Sequence, residues 1–179
     1  NEFPQSRYAF VGASIDGRRH EPFEPPEGSG SLVYISLGTE LNKSERFFRR
    51  CVEAFGSTGM RVVMAIGDSV RPESLGPVPP AMMVRRRVPQ LEVLSRASLF
   101  ITHGGMNSVN EALFYGVPML VVPVGNDQPT VARRVEELGL GEALDIREAT
   151  PDVLREAAMR VLSDRECHAR LSEFRQETR

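Results

Sequence analysis

Thr102-His103-Gly104-Gly105-Met106-Asn107-Ser108 brings an imidazole, two glycines, an amide and a hydroxyl into one short stretch. It follows the apolar run Leu99–Thr102 and leads into a helix-spaced segment, so the pattern is strand, tight turn, helix. Paired glycines let the backbone turn sharply and approach a ligand closely. A helix start offers unpaired N–H groups at the positive end of the dipole, which suits a phosphate. His103, Asn107 and Ser108 add side-chain donors at the same place. On local physics alone a second reading is equally open, in which Asn107 and Ser108 cap the helix and His103 is satisfied within its turn.

Similar chemistry follows other apolar runs. Ser36-Leu37-Gly38-Thr39 closes the run that starts at Leu32, giving a small turn with two hydroxyls, although Ser and Thr in turns usually bond their own backbone. Glu111 lies about one helical turn beyond Asn107, where a carboxylate can accept from sugar hydroxyls or simply be solvated. Asp127-Gln128 follows the run Met119–Val122 and pairs an acceptor with an amide, a combination able to address neighbouring hydroxyls of a hexose. The same dipeptide also serves as an ordinary helix start. Gly67-Asp68-Ser69 resembles the serine block of GDS-type esterases, but those enzymes want Asp-x-x-His near the end. Here Asp164 and His168 are one residue too far apart, and the block sits mid-chain. Neither G-x-G-x-x-G nor GxxxxGK[ST] is present, which sets aside the dinucleotide fingerprint and the P-loop.

These residues need elements to hold them. Leu32–Leu37, Arg61–Ile66, Ala81–Val84, Leu99–Thr102, Pro118–Val122 and Gly141–Leu144 read as strands. Between and after them, Ser44–Phe55, Pro89–Arg96, Asn107–Tyr115 and Pro129–Leu138 read as helices, with Phe47, Phe48, Cys51, Val52 and Phe55 close to one face of the first. Thr150-Pro151 marks one further helix start, and Ser163-Asp164-Arg165-Glu166 reads as a capping box opening the last helix. Tyr8–Gly12 reads as a short strand, and the Pro- and Gly-rich stretch from Glu21 to Gly30 as a linker outside the core. Apolar strands alternating with helices predict an α/β, Rossmann-like domain whose parallel sheet of about six strands is covered on both faces. Ligands in such sheets bind beyond the carboxyl ends of the strands, where the residues above lie.

Composition narrows the function classes. With 179 residues the chain has room for one domain with a core of its own. The 22 basic and 24 acidic residues give a formal charge of −2, so there is no global basic field and nucleic acid is not an expected partner. No apolar run approaches the ~20 residues of a membrane-spanning helix. Cys51 and Cys167 lie far apart without CxxC spacing and the three histidines are scattered, so no metal site is expected. Two reduced cysteines fit a cytoplasmic protein.

From Arg87 to Gln128 the chain resembles the donor-binding signature of glycosyltransferases with the GT-B fold, particularly the macrolide-type and UDP-glucuronosyl/glucosyl transferases. The matching pieces are Val88-Pro89-Gln90, Leu94, Thr102-His103-Gly104-Gly105, Asn107-Ser108, Glu111, Gly116-Val117-Pro118-Met119, Pro123 and Asp127-Gln128. The likeness extends through Ser36-Leu37-Gly38-Thr39 on one side and Ala132-Arg133-Arg134 to Gly139-Leu140-Gly141 on the other. Many relatives have tryptophan, stacked on the base, where this chain has Arg87; an arginine guanidinium is also planar and can stack. The stretch from Gln90 to His103 is shorter than in plant members, which favours a bacterial relative.

The resemblance implies a role for each position. The Val88 backbone would face the nucleobase beside Arg87, with Gln90 near base and ribose and Glu111 on the ribose hydroxyls. His103, Gly104, Gly105, Met106, Asn107 and Ser108 would form the diphosphate turn, helped by Ser36 or Thr39, and Asp127 and Gln128 would read the transferred sugar. No cofactor or metal is implied beyond the donor, a UDP- or dTDP-sugar. The catalytic base would be a histidine on an amino-terminal, acceptor-binding domain, so no residue of this chain is expected to be catalytic. Residues 1–30 would be an interdomain strand and linker, and residues 31–179 the donor-binding domain. A start without methionine and an end before the family's returning helix suggest an excised half. The alternative is a stand-alone donor subunit or a non-catalytic nucleotide-sugar-binding module.

Overall fold

The computed structural model describes Ile15, residues 22–38 and residues 44–177. The strand expected at Tyr8–Gly12, the candidate ligand Thr39 and the linker residue His20 lie outside these.

Six strands form one parallel sheet: β1 (Leu32–Ser36), β2 (Arg61–Ala65), β3 (Met82–Arg85), β4 (Leu99–Thr102), β5 (Met119–Val121) and β6 (Gly141–Ala143). Their spatial order is β3-β2-β1-β4-β5-β6. The chain winds outward from β1 to one edge and then returns to β4 on the other side. The order therefore reverses between β1 and β4, the crevice in which open α/β sheets bind ligands.

Strand alternation divides the core. From β1, Val33 and Ile35 face one way, packing with Val62, Met64 and Ile101 under helices α1 (Glu45–Phe55) and α5 (Pro151–Ser163). Leu32 and Tyr34 face the other way, with Val63, Phe100 and Val121. That second face is covered by α2 (Gln90–Leu94), α3 (Met106–Tyr115), α4 (Gln128–Glu137) and α6 (Arg165–Glu177). Five side chains of β1 are buried in succession, which is why the strand reads as a continuous apolar run rather than an alternating one. The Tyr34 and Phe100 rings, opposite one another across β1 and β4, stack with centroids 4.7 Å apart and planes 6° from parallel. Among the described residues no helix is long and apolar enough to cross a membrane.

Three local expectations are corrected. The last helix is capped by Asp164, whose Oδ1 accepts from the N–H groups of Glu166 and Cys167 at 3.0 and 3.1 Å. Ser163 instead ends α5, its hydroxyl donating back to the carbonyls of Met159 and Arg160. Asp164 competes for the cap with an acceptor that carries charge, and it wins. The stretch read as a linker is not clear of the core: Phe23 is buried in the second cluster, and Arg96 donates to its carbonyl at 2.6 Å. Finally, α3 begins at Met106, one residue earlier than its spacing suggested, a shift that matters for the site.

Candidate functional site

The two strands flanking the crevice end in twin turns. Ser36 and Thr102 are partners in the sheet register. Each hydroxyl accepts from the backbone N–H two residues on, Ser36 from Gly38 at 3.4 Å and Thr102 from Gly104 at 3.3 Å. Gly38 and Gly104 both take left-handed backbone angles, φ +79° and +84°, which a residue with a Cβ adopts only at a cost. The two chains thus peel away from the sheet alike and leave a gap between them.

His103 occupies one wall of that gap. A Cβ on Gly38 would lie 2.8 Å from its ring, and one on Gly105 would lie 2.6 Å from its Nε2. Gly104 serves a different purpose, since a Cβ there would strike Val121 at 2.7 Å. Burial pushes the His103 pKa below its ordinary value, against an opposing pull from the Asp127 charge. The ring is therefore neutral at neutral pH. Its Nδ1 is buried without a hydrogen-bond partner among the described residues, a cost that a ligand atom can relieve.

Behind His103 the chain enters α3. Gly105 is its N-cap, and no side chain caps the helix. Asn107 and Ser108 lie inside the first turn, so the capping alternative for them does not hold. The first-turn N–H groups and the positive end of the helix dipole face the gap unmasked.

A third group of residues is wired together. Tyr34 Oη donates to Gln90 Oε1 at 2.9 Å. Gln90 Nε2 donates to Glu111 Oε2 at 2.6 Å and to Ser108 Oγ at 3.3 Å. Burial, added to by the Glu111 charge and partly offset by a hydrogen bond with Ser36, pushes the Tyr34 phenol well above its ordinary value, so it stays protonated. At the outer lip, Arg87 pairs with Asp68 at 2.6 Å, both side chains being well exposed.

These elements enclose a cavity of about 530 Å³ beyond the ends of β1, β2, β3 and β4. Of the residues singled out in the sequence, Ser36, Arg87, Val88, Gln90, His103, Gly105, Met106, Asn107 and Ser108 line it. Gly104, Glu111, Asp127 and Gln128 do not. Glu111 is buried one hydrogen bond behind the wall, through Gln90. Gln128 is buried too, and its Oε1 accepts from the N–H groups of Val124 and Gly125 at 2.8 and 3.1 Å. It therefore shapes the loop after β5, in which Asn126 has φ +57°. Asp127 precedes α4 without capping it. The candidate esterase residues serve elsewhere: Asp68 holds Arg87, Asp164 caps α6, and His168 Nε2 lies 3.2 Å from the Leu162 carbonyl.

Residues 49–179 match the family described as Erythromycin biosynthesis protein CIII-like, C-terminal domain. The chain belongs to this EryCIII-like family of GT-B glycosyltransferase domains. It is 45% identical over 161 residues to the NDP-glycosyltransferase YjiC of Bacillus licheniformis, an alignment covering 88% of this chain and 41% of that protein. It is 39% identical to the oleandomycin glycosyltransferase of Streptomyces antibioticus, covering 95% of this chain and 40% of the relative. The crystal structure of the glycotransferase of kitacinnamycin superposes with a TM-score of 0.89 at 40% identity, over 98% of this chain and 46% of the other. The chain thus spans less than half the length of these relatives.

For an EryCIII-like domain the sequence pattern pointed to the turn and helix at the cavity but did not assign to it Tyr34, Gly38, Ala65, Gly67, Asp68 or Arg86, which also line it. All of these but Tyr34 stand at or just past strand ends and were within reach of the strand-end rule. Tyr34 was not, because mid-strand it reads only as core. A second cavity, of about 520 Å³, lies beyond β5 and β6 between Pro123, Arg133, Asp145 and Arg147 and holds none of the predicted residues. Among the described residues no cluster of three or more His, Cys, Asp or Glu is arranged to hold a metal ion.

Proposed function

We propose that this chain is the nucleotide-diphosphate-sugar donor-binding domain of an inverting glycosyltransferase, and that the intact enzyme moves a hexose to a hydroxyl of a small lipophilic acceptor such as a macrolide. The observation that carries the reading is the uncapped start of α3 opening on the switch-point cavity beside the unpaired His103 Nδ1. A diphosphate supplies the acceptor atoms that the first-turn N–H groups lack. The first-turn N–H groups of α3, with His103, Asn107 and Ser108, hold it, and Ser36 borders it from the end of β1.

The remaining wall sorts the rest of the donor. Val88 and Arg87 flank the base, with the guanidinium plane available for stacking. Gln90 and, behind it, Glu111 address the ribose. Asp127, uncommitted as a cap, and the amide nitrogen of Gln128 take the sugar hydroxyls. A hydroxyl-rich sugar such as glucose suits these two, and a carboxylate at the ribose suits UDP over dTDP, so UDP-glucose is the proposed donor.

In the reaction, the acceptor oxygen attacks the anomeric carbon and the bond to the diphosphate breaks on the opposite face. Negative charge then builds on the leaving phosphate, at the positive end of α3, where fixed dipoles lower the barrier. The base that removes the acceptor proton belongs to the acceptor-binding domain. His103 is a neutral phosphate ligand in this scheme, not that base.

Calorimetric titration with UDP, dTDP and ADP tests the reading. Saturable binding of UDP is expected, at roughly 10 µM to 1 mM for the domain alone. Absence of binding by the full-length protein to any of the three would sink it.

A further inference from the structure

We infer that Tyr34 is a positioning residue: its hydroxyl anchors in place the Gln90 amide, whose polarity Glu111 sets, so that the cavity presents an acceptor to the ribose and a donor to the adjoining phosphate. The inference rests on the donor-site reading above.

Hydrogen-bond polarity fixes the arrangement. Glu111 is a buried carboxylate that accepts from Gln90 Nε2 at 2.6 Å. That contact places the amide NH2, the donor end, against the carboxylate oxygen. The same nitrogen reaches Ser108 Oγ at 3.3 Å, and both amide hydrogens are then spent. Gln90 Oε1 is left facing Tyr34, whose hydroxyl donates to one of its two lone pairs. The other lone pair is available to a hydroxyl donor in the cavity that Gln90 lines. Ser108, which accepts from Gln90, keeps its own O–H hydrogen to donate. A sugar hydroxyl followed by a phosphate has the complementary polarity.

Tyr34 anchors this chain in the buried centre of the sheet. It is buried on β1, stacked on Phe100, and lines the cavity only at its hydroxyl end. The chain Tyr34–Gln90–Ser108/Glu111 links the central strand to two turns of α3, so the amide cannot turn over without leaving two acceptors facing each other.

The test uses Tyr34→Phe, which keeps the ring and removes one oxygen, in the full-length protein. Titrations with UDP and 2′-deoxy-UDP give the ribose preference. The parent is expected to favour UDP. In Tyr34→Phe that preference shrinks towards unity, with UDP weakened by about fivefold, the effect of one hydrogen bond, and 2′-deoxy-UDP little changed. Gln90→Leu shows the same loss of ribose preference, and adding Tyr34→Phe to it costs no further preference, because Tyr34 reaches the ribose only through Gln90. An unchanged UDP preference in Tyr34→Phe overturns the inference. So does a loss that adds to that of Gln90→Leu, which marks Tyr34 as a packing residue. A parent that binds UDP and 2′-deoxy-UDP equally also overturns it, while a parent that binds no nucleotide overturns the donor-site reading itself.

Discussion

The imidazole of His103 lies so close to Gly38 that a Cβ at that position would stand 2.8 Å from its Cε1 and Nε2. Gly38 also has φ +79°, as does Gly59 with +73°, but nothing lies within 4 Å of a Cβ at Gly59. The two glycines separate backbone strain from crowding. Gly59→Ala should cost about 1–2 kcal/mol of stability, the left-handed penalty alone, and leave UDP binding as it was. Gly38→Ala should cost at least as much and also weaken UDP binding by displacing the ring. Thermal melts and titrations of both variants check this, and equal UDP affinities would detach His103 from the site.

His103 also carries a pH signature. Its pKa is held below the ordinary 6.5 mainly by burial. As pH falls through 6.5 the unfolded chain takes up a proton while the folded chain resists, so stability is full above that value and declines below it, until the folded pKa is passed. His103→Gln removes this component. Urea unfolding from about pH 7.5 to about pH 5.5 should show a steeper loss for the parent than for the variant. Parallel curves would mean that the ring is not desolvated in the folded protein.

Asn107 and Glu111 probe the two ends of the nucleotide. Asn107 is exposed in the first turn of α3 and lines the cavity, so Asn107→Ala should weaken UDP by about 1–3 kcal/mol, the range for hydrogen bonds to charged groups, with little effect on folding. Glu111 is buried and braced by Gln90. Glu111→Ala should weaken UDP by a similar amount and lower stability as well, since Gln90 then loses its acceptor. Two folded variants that bind UDP like the parent would remove both residues from the site.

The order of strands and helices was legible in the sequence because parallel strands, buried on both faces, leave apolar runs that turn residues punctuate. The turn that borders the cavity was legible for the same reason: His103-Gly104-Gly105 breaks a run and opens a helix. What stayed hidden depended on partners distant in sequence. Nothing local tells that Tyr34 reaches Gln90, 56 positions away, or that Phe23 is held by Arg96. Glu111 read as either ligand or solvated acid, and only packing of α3 against α2 makes it buried. The misplaced cap at Ser163 shows a nearer limit. Two adjacent residues offered acceptors, and the cap fell to Asp164, whose carboxylate takes the first-turn N–H groups, while Ser163 turned back into α5.

The Arg87–Asp68 pair gives the last prediction. It joins the loop after β2 to the loop after β3 across the cavity lip, with side-chain exposures of 76% and 58%. An ion pair that open contributes little to stability, so Asp68→Asn should leave the unfolding midpoint nearly unchanged. Its effect belongs to the ligand: freed of its partner, the Arg87 guanidinium samples more rotamers and loses its fixed plane beside the base. Asp68→Asn should therefore weaken UDP severalfold and narrow the preference for UDP over ADP, and Arg87→Lys, which keeps the charge but not the plane, should do the same. If charge alone matters, Arg87→Lys binds as the parent does and only the neutral Arg87→Gln is weakened. Titrations of the three variants with both nucleotides at low and high salt separate the two, because a point-charge contribution fades with screening and a stacking contribution persists.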